Sequence, residues 1–243
     1  MHRYFPEFVK AGWARYRQRS LVVRPWDHFQ RHHDRAFDGV AVVGNAGYLM
    51  DFHQGRAIDD HELVIRLNNF ETRGFERQVG GRCDVFLTNF FTDIRYERPE
   101  LVDVEHVVAS VPNTFRKAKR SHLHHRHAEH IVEGMLRLDR QGLYVPSLDM
   151  FLEAYDTCRA VPSTGFMAIL FALHHLRRNR LFVTGFSFFR GREHYFNEPG
   201  APRPRHDFDS ERVVLARLLL PLIGEGTVRT DATMHKDLVE AAR

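Results

Sequence analysis

Short, continuous apolar runs recur along this chain, each closed by a polar or glycine-bearing break. They are Val40-Ala41-Val42-Val43, the stretch Glu62 to Asn68 with Leu63-Val64-Ile65 at its centre, Val85-Phe86-Leu87-Thr88-Asn89, Val104 to Ala109, and Arg180 to Gly185. A strand that is apolar at successive positions has both faces covered, as in parallel sheets flanked by helices. The intervals between the runs leave room for helices or long loops. The expected fold class is therefore α/β, with a Rossmann-like, mostly parallel sheet. At 243 residues the chain is long enough for one such domain with an appendage.

The first run ends at once in Gly44-Asn45-Ala46-Gly47, and the loop opens toward Tyr48-Leu49-Met50. A strand, a glycine loop and a helix is where open α/β sheets bind nucleotides, at the carboxyl ends of strands. The glycine pair alone is neither a dinucleotide fingerprint nor a phosphate-binding loop with its lysine. A second candidate site opens at Pro162-Ser163-Thr164-Gly165, ahead of Phe166 to His174. Ser163 or Thr164 can accept from the first-turn amides, and Gly165 leaves those amides uncovered, so this helix mouth suits an anion. The body is apolar nearly all round and reads as a helix buried against a sheet; a capped core helix without a ligand is the other reading of the same residues. Ser147 is expected to cap a helix through Tyr155, the segment Phe186 to Arg205 reads as a long loop over a site, and Val213 to Leu220 as a closing helix.

Residues 1–38 differ in character from the rest. Aromatics, Trp13, Trp26 and Phe29 among them, alternate with arginines such as Arg15, Arg24 and Arg31. A basic amphipathic helix at an anionic membrane surface fits this mixture, and so does a helix packing its rings on the main domain. The expected division is this segment, then a catalytic domain over 39–243. No apolar run is long enough to span a bilayer and no signal-peptide block opens the chain, so a cytoplasmic location is expected, with peripheral membrane association possible through 1–38. The formal charge is +4 with 17 histidines besides, which favours anionic partners. The two cysteines, Cys83 and Cys158, read as idle thiols. Between 116 and 130, histidines cluster beside arginines that oppose a cation, so a solvated face or an anion-attracting loop is preferred over a metal site.

Four pieces form a set in chain order: Gly44-Asn45-Ala46-Gly47 with Asn68; Ser163-Thr164-Gly165; His194-Tyr195-Phe196; and His206 with Glu211. In that order they resemble the large, small, third and very small sialylmotifs of glycosyltransferase family 29, the animal-type sialyltransferases. The resemblance runs from about residue 39 to 220. It implies a sialyltransferase-type fold, a GT-A-like variant, in a soluble bacterial-type member. It also implies inverting transfer of an acidic nonulosonic sugar, sialic acid first, from a CMP donor to a glycan or glycolipid hydroxyl.

By the same resemblance, Gly44, Asn45, Ala46 and Asn68 hold the phosphate and ribose side of CMP. Ser163, Thr164 and Gly165, with Tyr195, hold the nucleotide. His194 meets the leaving phosphate, His206 is the catalytic base, and Glu211 is counted with them as catalytic, placed to orient a neighbour or to favour the helix N-terminus. A histidine with an ordinary pKa near about 6.5 can be neutral and ready to take a hydroxyl proton. A leaving nucleoside monophosphate gains one charge, which helix amides and a histidine can meet, so no metal or other cofactor is expected. Where the family's secretory-pathway enzymes pair two cysteines, this chain has Val40 and about Leu176, and Ala46 replaces the usual serine. A CMP-Kdo transferase is the rival on the same scaffold. A basic nucleotide- or RNA-binding module, suggested by a pI near 9.3, is the rival from another class, although no nucleic acid partner is expected.

Overall fold

A computed structural model describes residues 21–32, 36–91, 93–113, 127–140, 142–176, 178–190, 194–196 and 206–243. Its strands are β1 (Val22–Pro25), β2 (Val40–Val43), β3 (Leu63–Leu67), β4 (Val85–Thr88), β5 (His106–Ala109), β6 (Gly142–Val145), β7 (Leu181–Thr184) and β8 (Val228–Thr230). Its α-helices are α1 (Asp27–His32), α2 (Gly55–Asp59), α3 (Glu76–Val79), α4 (His127–Arg137), α5 (Leu148–Cys158), α6 (Thr164–His175), α7 (Phe208–Gly224) and α8 (Ala232–Ala241). The strands form one sheet in the order β1-β6-β5-β4-β3-β2-β7-β8, and every ladder is parallel.

The apolar runs became strands because both sides of the sheet are covered. Every residue of β2, β3, β4 and β7 is buried. Alternate side chains feed opposite faces: Val40, Val42 and Ile65 join the larger core, while Ala41, Val43 and Val64 join a smaller one with Leu49 and Ile58. The larger core contains α6, which packs across β2, β3 and β4. Residues Phe166 to Ala172 of α6 are all buried. Arg66 of β3 is also fully buried, and it donates to the carbonyls of Arg82 and Val79. Burial pulls its pKa down.

From β2 the chain steps outward through β3, β4, β5 and β6, then returns to lay β7 and β8 on the other side of β2. The direction reverses between β2 and β7, and a crevice opens there at the carboxyl ends of the strands. Gly44 and Gly185 meet at this point. The Gly44 amide donates to the Thr184 carbonyl at 2.8 Å and the Ala46 amide to the Gly185 carbonyl at 3.0 Å.

The division expected at residue 38 does not separate two bodies among the described residues. β1 pairs with β6 at the sheet edge, Phe29 and Trp26 are buried in the core, and the Trp26 indole donates to the Ala109 carbonyl at 3.1 Å. The other aromatics of the segment up to Tyr16 lie outside the described residues, as do Arg116, Lys117, Lys119 and Arg120. Val40 and Leu176 are both fully buried in the larger core, and Cys83 and Cys158 are free thiols. Among the described residues no helix is long and apolar enough to cross a membrane.

Candidate active site

A cleft of about 380 Å³ lies over the β2–β7 reversal. Of the residues singled out from the sequence, Gly44, Asn45, Asn68, Ser163, Thr164, Gly165, His194, His206 and Glu211 line it. Ala46 and Tyr195 do not. Ala46 is buried, so its side chain is held away from the opening. The Tyr195 hydroxyl bonds the backbone of Glu71 in both directions, its ring lies edge-on to Phe75 at 5.2 Å, and its amide donates to the Asn45 carbonyl at 3.2 Å. Tyr195 therefore fastens the His194–Phe196 segment to the glycine loop from behind. Burial pushes its phenol up to about 12.

Two helix N-termini converge on the cleft. Ser163 caps α6 by accepting from the Phe166 amide at 3.1 Å, and Asp207 caps α7 by accepting from the Ser210 amide at 3.0 Å. Glu211, in the first turn of α7, bridges them: its oxygens accept from the Ser163 amide and from the Ser163 hydroxyl, each at 2.6 Å. Ser163, expected at the nucleotide, lines the cleft and spends its own protons inside the fold. Its hydroxyl proton goes to Glu211 and its amide is used, so its polar groups hold the two helices together. Thr164 and Gly165 differ, because first-turn amides have no intrahelical partner. No acceptor among the described residues takes either N–H. Gly165 also makes room for Phe186, whose ring stands 3.1 Å from where a Cβ would be.

Burial pushes the Glu211 carboxyl from 4.5 to about 7; Asp207 adds to the shift and the Ser163 bonds oppose it. The same two carboxylates face Cys158 on α5 and, with burial foremost, hold its thiol at about 12. An acid whose native value is raised binds more protons folded than unfolded between those two values. The stability it contributes falls as pH rises from 4.5 through about 7. Glu211→Gln removes that dependence. Urea unfolding should show the mutant gaining on the parent by on the order of 3 kcal/mol between pH 4.5 and pH 8; a pH-independent difference would show that the carboxyl is not raised.

The asparagines divide their labour by hydrogen-bond chemistry. Asn45 Nδ2 donates to the Leu67 carbonyl at 3.1 Å, leaving Oδ1 buried without a partner. That oxygen can only accept, so it suits a ligand hydroxyl and not a phosphate oxygen. Asn68 is the reverse: its Oδ1 accepts from the Asn89 amide at 3.2 Å, so its amide protons are available to an anion. Asn68 has a φ of 46°, and Arg98 holds this turn by donating to the carbonyls of Asn68 and Phe70 while lying over the Phe70 ring.

His206 sits two residues before α7, and its Nδ1 lies 2.7 Å from the Val161 carbonyl. A carbonyl only accepts, so Nδ1 carries a proton and the neutral ring has its lone pair on Nε2. The His194 ring is stacked on Phe196 at 5.4 Å.

Several lining residues escaped the sequence reading. Asn69, Asn89 and Asp93 flank the ends of β3 and β4, and Phe188, Phe189 and Phe208 form an aromatic wall. Position offered one clue, since Asn89 ends an apolar run at the carboxyl edge where such sites form. A further brace is Tyr48, whose hydroxyl donates to Asp231 at 2.8 Å and accepts from the amides of Gly185 and Phe186.

The family model described as glycosyltransferase family 29 (sialyltransferase) matches residues 17–220. A chimpanzee (Pan troglodytes) CMP-N-acetylneuraminate-beta-galactosamide-alpha-2,3-sialyltransferase 1 is 27% identical over 73% of this chain and 55% of its own. A beta-1,6-galactosyltransferase of Arabidopsis thaliana is 49% identical over 49 residues, 20% of this chain and 12% of its own. The chain thus spans about half the length of the first of these relatives. A mammalian sialyltransferase structure in complex with Gal-beta-1-3GalNAc-ortho-nitrophenol matches at a TM-score of 0.51 and 18% identity, covering 94% of this chain and 87% of that one. At that identity it speaks for the fold alone.

Proposed function

The chain belongs to glycosyltransferase family 29, the sialyltransferase family, and on that premise we propose that it moves sialic acid from a CMP donor to a glycan hydroxyl with inversion. His206 is the base in this reading. Nε2 takes the acceptor proton as the acceptor oxygen attacks the anomeric carbon on the side opposite the leaving phosphate. The transition state is oxocarbenium-like, and the departing CMP gains one negative charge. The Thr164 and Gly165 amides, the Asn68 amide group and His194 meet that charge, while Asn45 Oδ1 accepts from a ribose hydroxyl. Glu211 acts through Ser163 by fixing the α6 mouth beside His206. It is a positioning residue here, in place of the catalytic role expected from the resemblance.

The observation that carries this reading is the Nδ1 contact of His206 with Val161, which gives a neutral imidazole its lone pair on Nε2 in a cleft that also holds an unspent helix N-terminus. A galactosyl donor is the second reading, suggested by the Arabidopsis relative. CMP-Kdo remains a third donor to include.

The first test is thermal unfolding with CMP. At a hundredfold excess over Kd, CMP should stabilise the protein by about 2.7 kcal/mol, and EDTA should leave that gain intact because amides and a histidine meet the phosphate. Protection by UDP in place of CMP would move the reading to the galactosyl donor. No protection by either, or loss of it in EDTA, would overturn it.

A further inference from the structure

We propose that Asp231 and Tyr48 are positioning residues for the donor: from behind the cleft they fix the Gly185–Phe186 turn, and through it the spacing between the glycine loop and the mouth of α6. The inference rests on the cleft taking a nucleotide-activated sugar.

Phe186 joins the two segments that would hold the donor. Its ring stands 3.2 Å from where a Cβ on Gly44 would be and 3.1 Å from where one on Gly165 would be. It is thus wedged between the loop that carries Asn45 and the helix mouth that offers the Thr164 and Gly165 amides. Close-packed surroundings transmit displacement, so a shift of the Phe186 backbone moves both walls. That backbone needs holding. Gly185 has a φ of 82°, and the chain runs on through Phe188 and Phe189 with φ of 49° and 56°. The left-handed conformation is costly for a residue with a Cβ and persists where the surroundings fix it.

Tyr48 supplies the hold. Its oxygen accepts from the Gly185 amide at 3.0 Å and from the Phe186 amide at 3.1 Å, which fills both lone pairs. Its one proton therefore goes to Asp231 Oδ2, 2.8 Å away. Asp231 is buried; the same Oδ2 accepts from the Thr184 hydroxyl at 2.8 Å, while Oδ1 caps α8 by accepting from the Met234 amide at 2.8 Å. Burial, and after it the Asp231 carboxylate, push the pKa of the Tyr48 phenol up, so it stays a donor. Neither Tyr48 nor Asp231 lines the cleft, and α8 lies beyond the residues 17–220 matched by the family model. Near the other end of α8, Glu240 stands 4.0 Å from Arg190, whose amide closes the Phe188–Phe189 turn on the Ser187 carbonyl at 2.8 Å. The helix thus grips the exit of β7 at both of its ends.

The test reads the affinity of the full chain for CMP by calorimetry, or for UDP if that is the nucleotide the parent binds, at a temperature where each variant is folded. Tyr48→Phe keeps the ring and takes the hydroxyl from the two amides. Asp231→Asn keeps the α8 cap through Oδ1 and puts N–H groups where the Tyr48 proton is accepted. Each should weaken the nucleotide about tenfold, and the double variant no more than either alone, because one chain of hydrogen bonds is broken once. Thr184→Val also takes a donor from Asp231 and costs stability, but leaves Tyr48 bonded; its affinity should stay within about twofold of the parent. Parent-like affinity in Tyr48→Phe, additive losses in the double variant, or an equal loss in Thr184→Val overturns the proposal. A parent that binds neither nucleotide refutes the donor reading itself, and the hold is then read from amide exchange. Faster exchange at Gly185 and Phe186 in Tyr48→Phe, with Val183 unchanged, supports it, and parent-like rates at both amides overturn it.

Discussion

His206→Ala is expected to lower kcat by about 10²- to 10⁴-fold, the range a positioned general base supplies, while CMP protects the variant against unfolding as it protects the parent. The split follows from where the residue stands. The imidazole touches the Val161 carbonyl and Phe208, and the donor groups of the cleft come from other elements: Asn45 and Asn68 after β2 and β3, Thr164 and Gly165 at α6. Removing the ring takes away the proton acceptor and leaves those groups where they are. His206→Gln separates geometry from basicity, because an amide can keep a hydrogen bond to Val161 without a basic nitrogen. It should be as slow as alanine. Parent-like turnover in either variant, with inversion retained, would assign the base elsewhere.

Gly44→Ala is expected to damage the fold severely where the β2–β7 strand ends close over the cleft. A Cβ at Gly44 would lie 2.1 Å from the Gly185 carbonyl oxygen and 2.8 Å from its carbon, both backbone atoms held by the β2–β7 ladder. Neither can rotate away, so the two strand ends must part and give up the bonds from Gly44 to Thr184 and from Ala46 to Gly185. The expected loss is more than about 3 kcal/mol, a fall in melting temperature of about 10 °C for a chain of this size. Gly224→Ala is the control, since nothing lies within 4 Å of its would-be Cβ. A Gly44→Ala protein as stable as the parent would mean that the strands do not close at this point.

What could be read from the sequence was what local pattern determines. β2, β3, β4 and β7 were legible because burial on both faces leaves no polar position, apart from Arg66, which donates to two backbone carbonyls, and the polar strand ends Thr88 and Thr184. β1 and β8 were not, because edge strands are short and half exposed: Val22–Pro25 carries an arginine and a proline, and Val228–Thr230 has one buried residue. The caps Ser147 and Ser163 were legible as residue types suited to that position. The site was less so, since its arrangement is long-range. Glu211 and Ser163 are 48 residues apart, and Tyr195 and Glu71 are 124 apart. Spacing alone gives no sign that Ser163 spends its hydroxyl on Glu211. The Phe188–Phe189 turn was hidden for another reason: a loop rich in aromatics does not announce a left-handed backbone.

The central claim is that this cleft inverts a CMP-activated sugar onto a hydroxyl. It is met most directly by incubating the purified chain with CMP-sialic acid and methyl β-galactoside, then reading product mass and anomeric configuration by mass spectrometry and NMR. The account predicts free CMP and a galactoside heavier by one sialyl residue, with the anomeric configuration opposite to that of the donor. Retention of the donor configuration, or CMP-sialic acid left intact beside an acceptor that gains no mass, would contradict it.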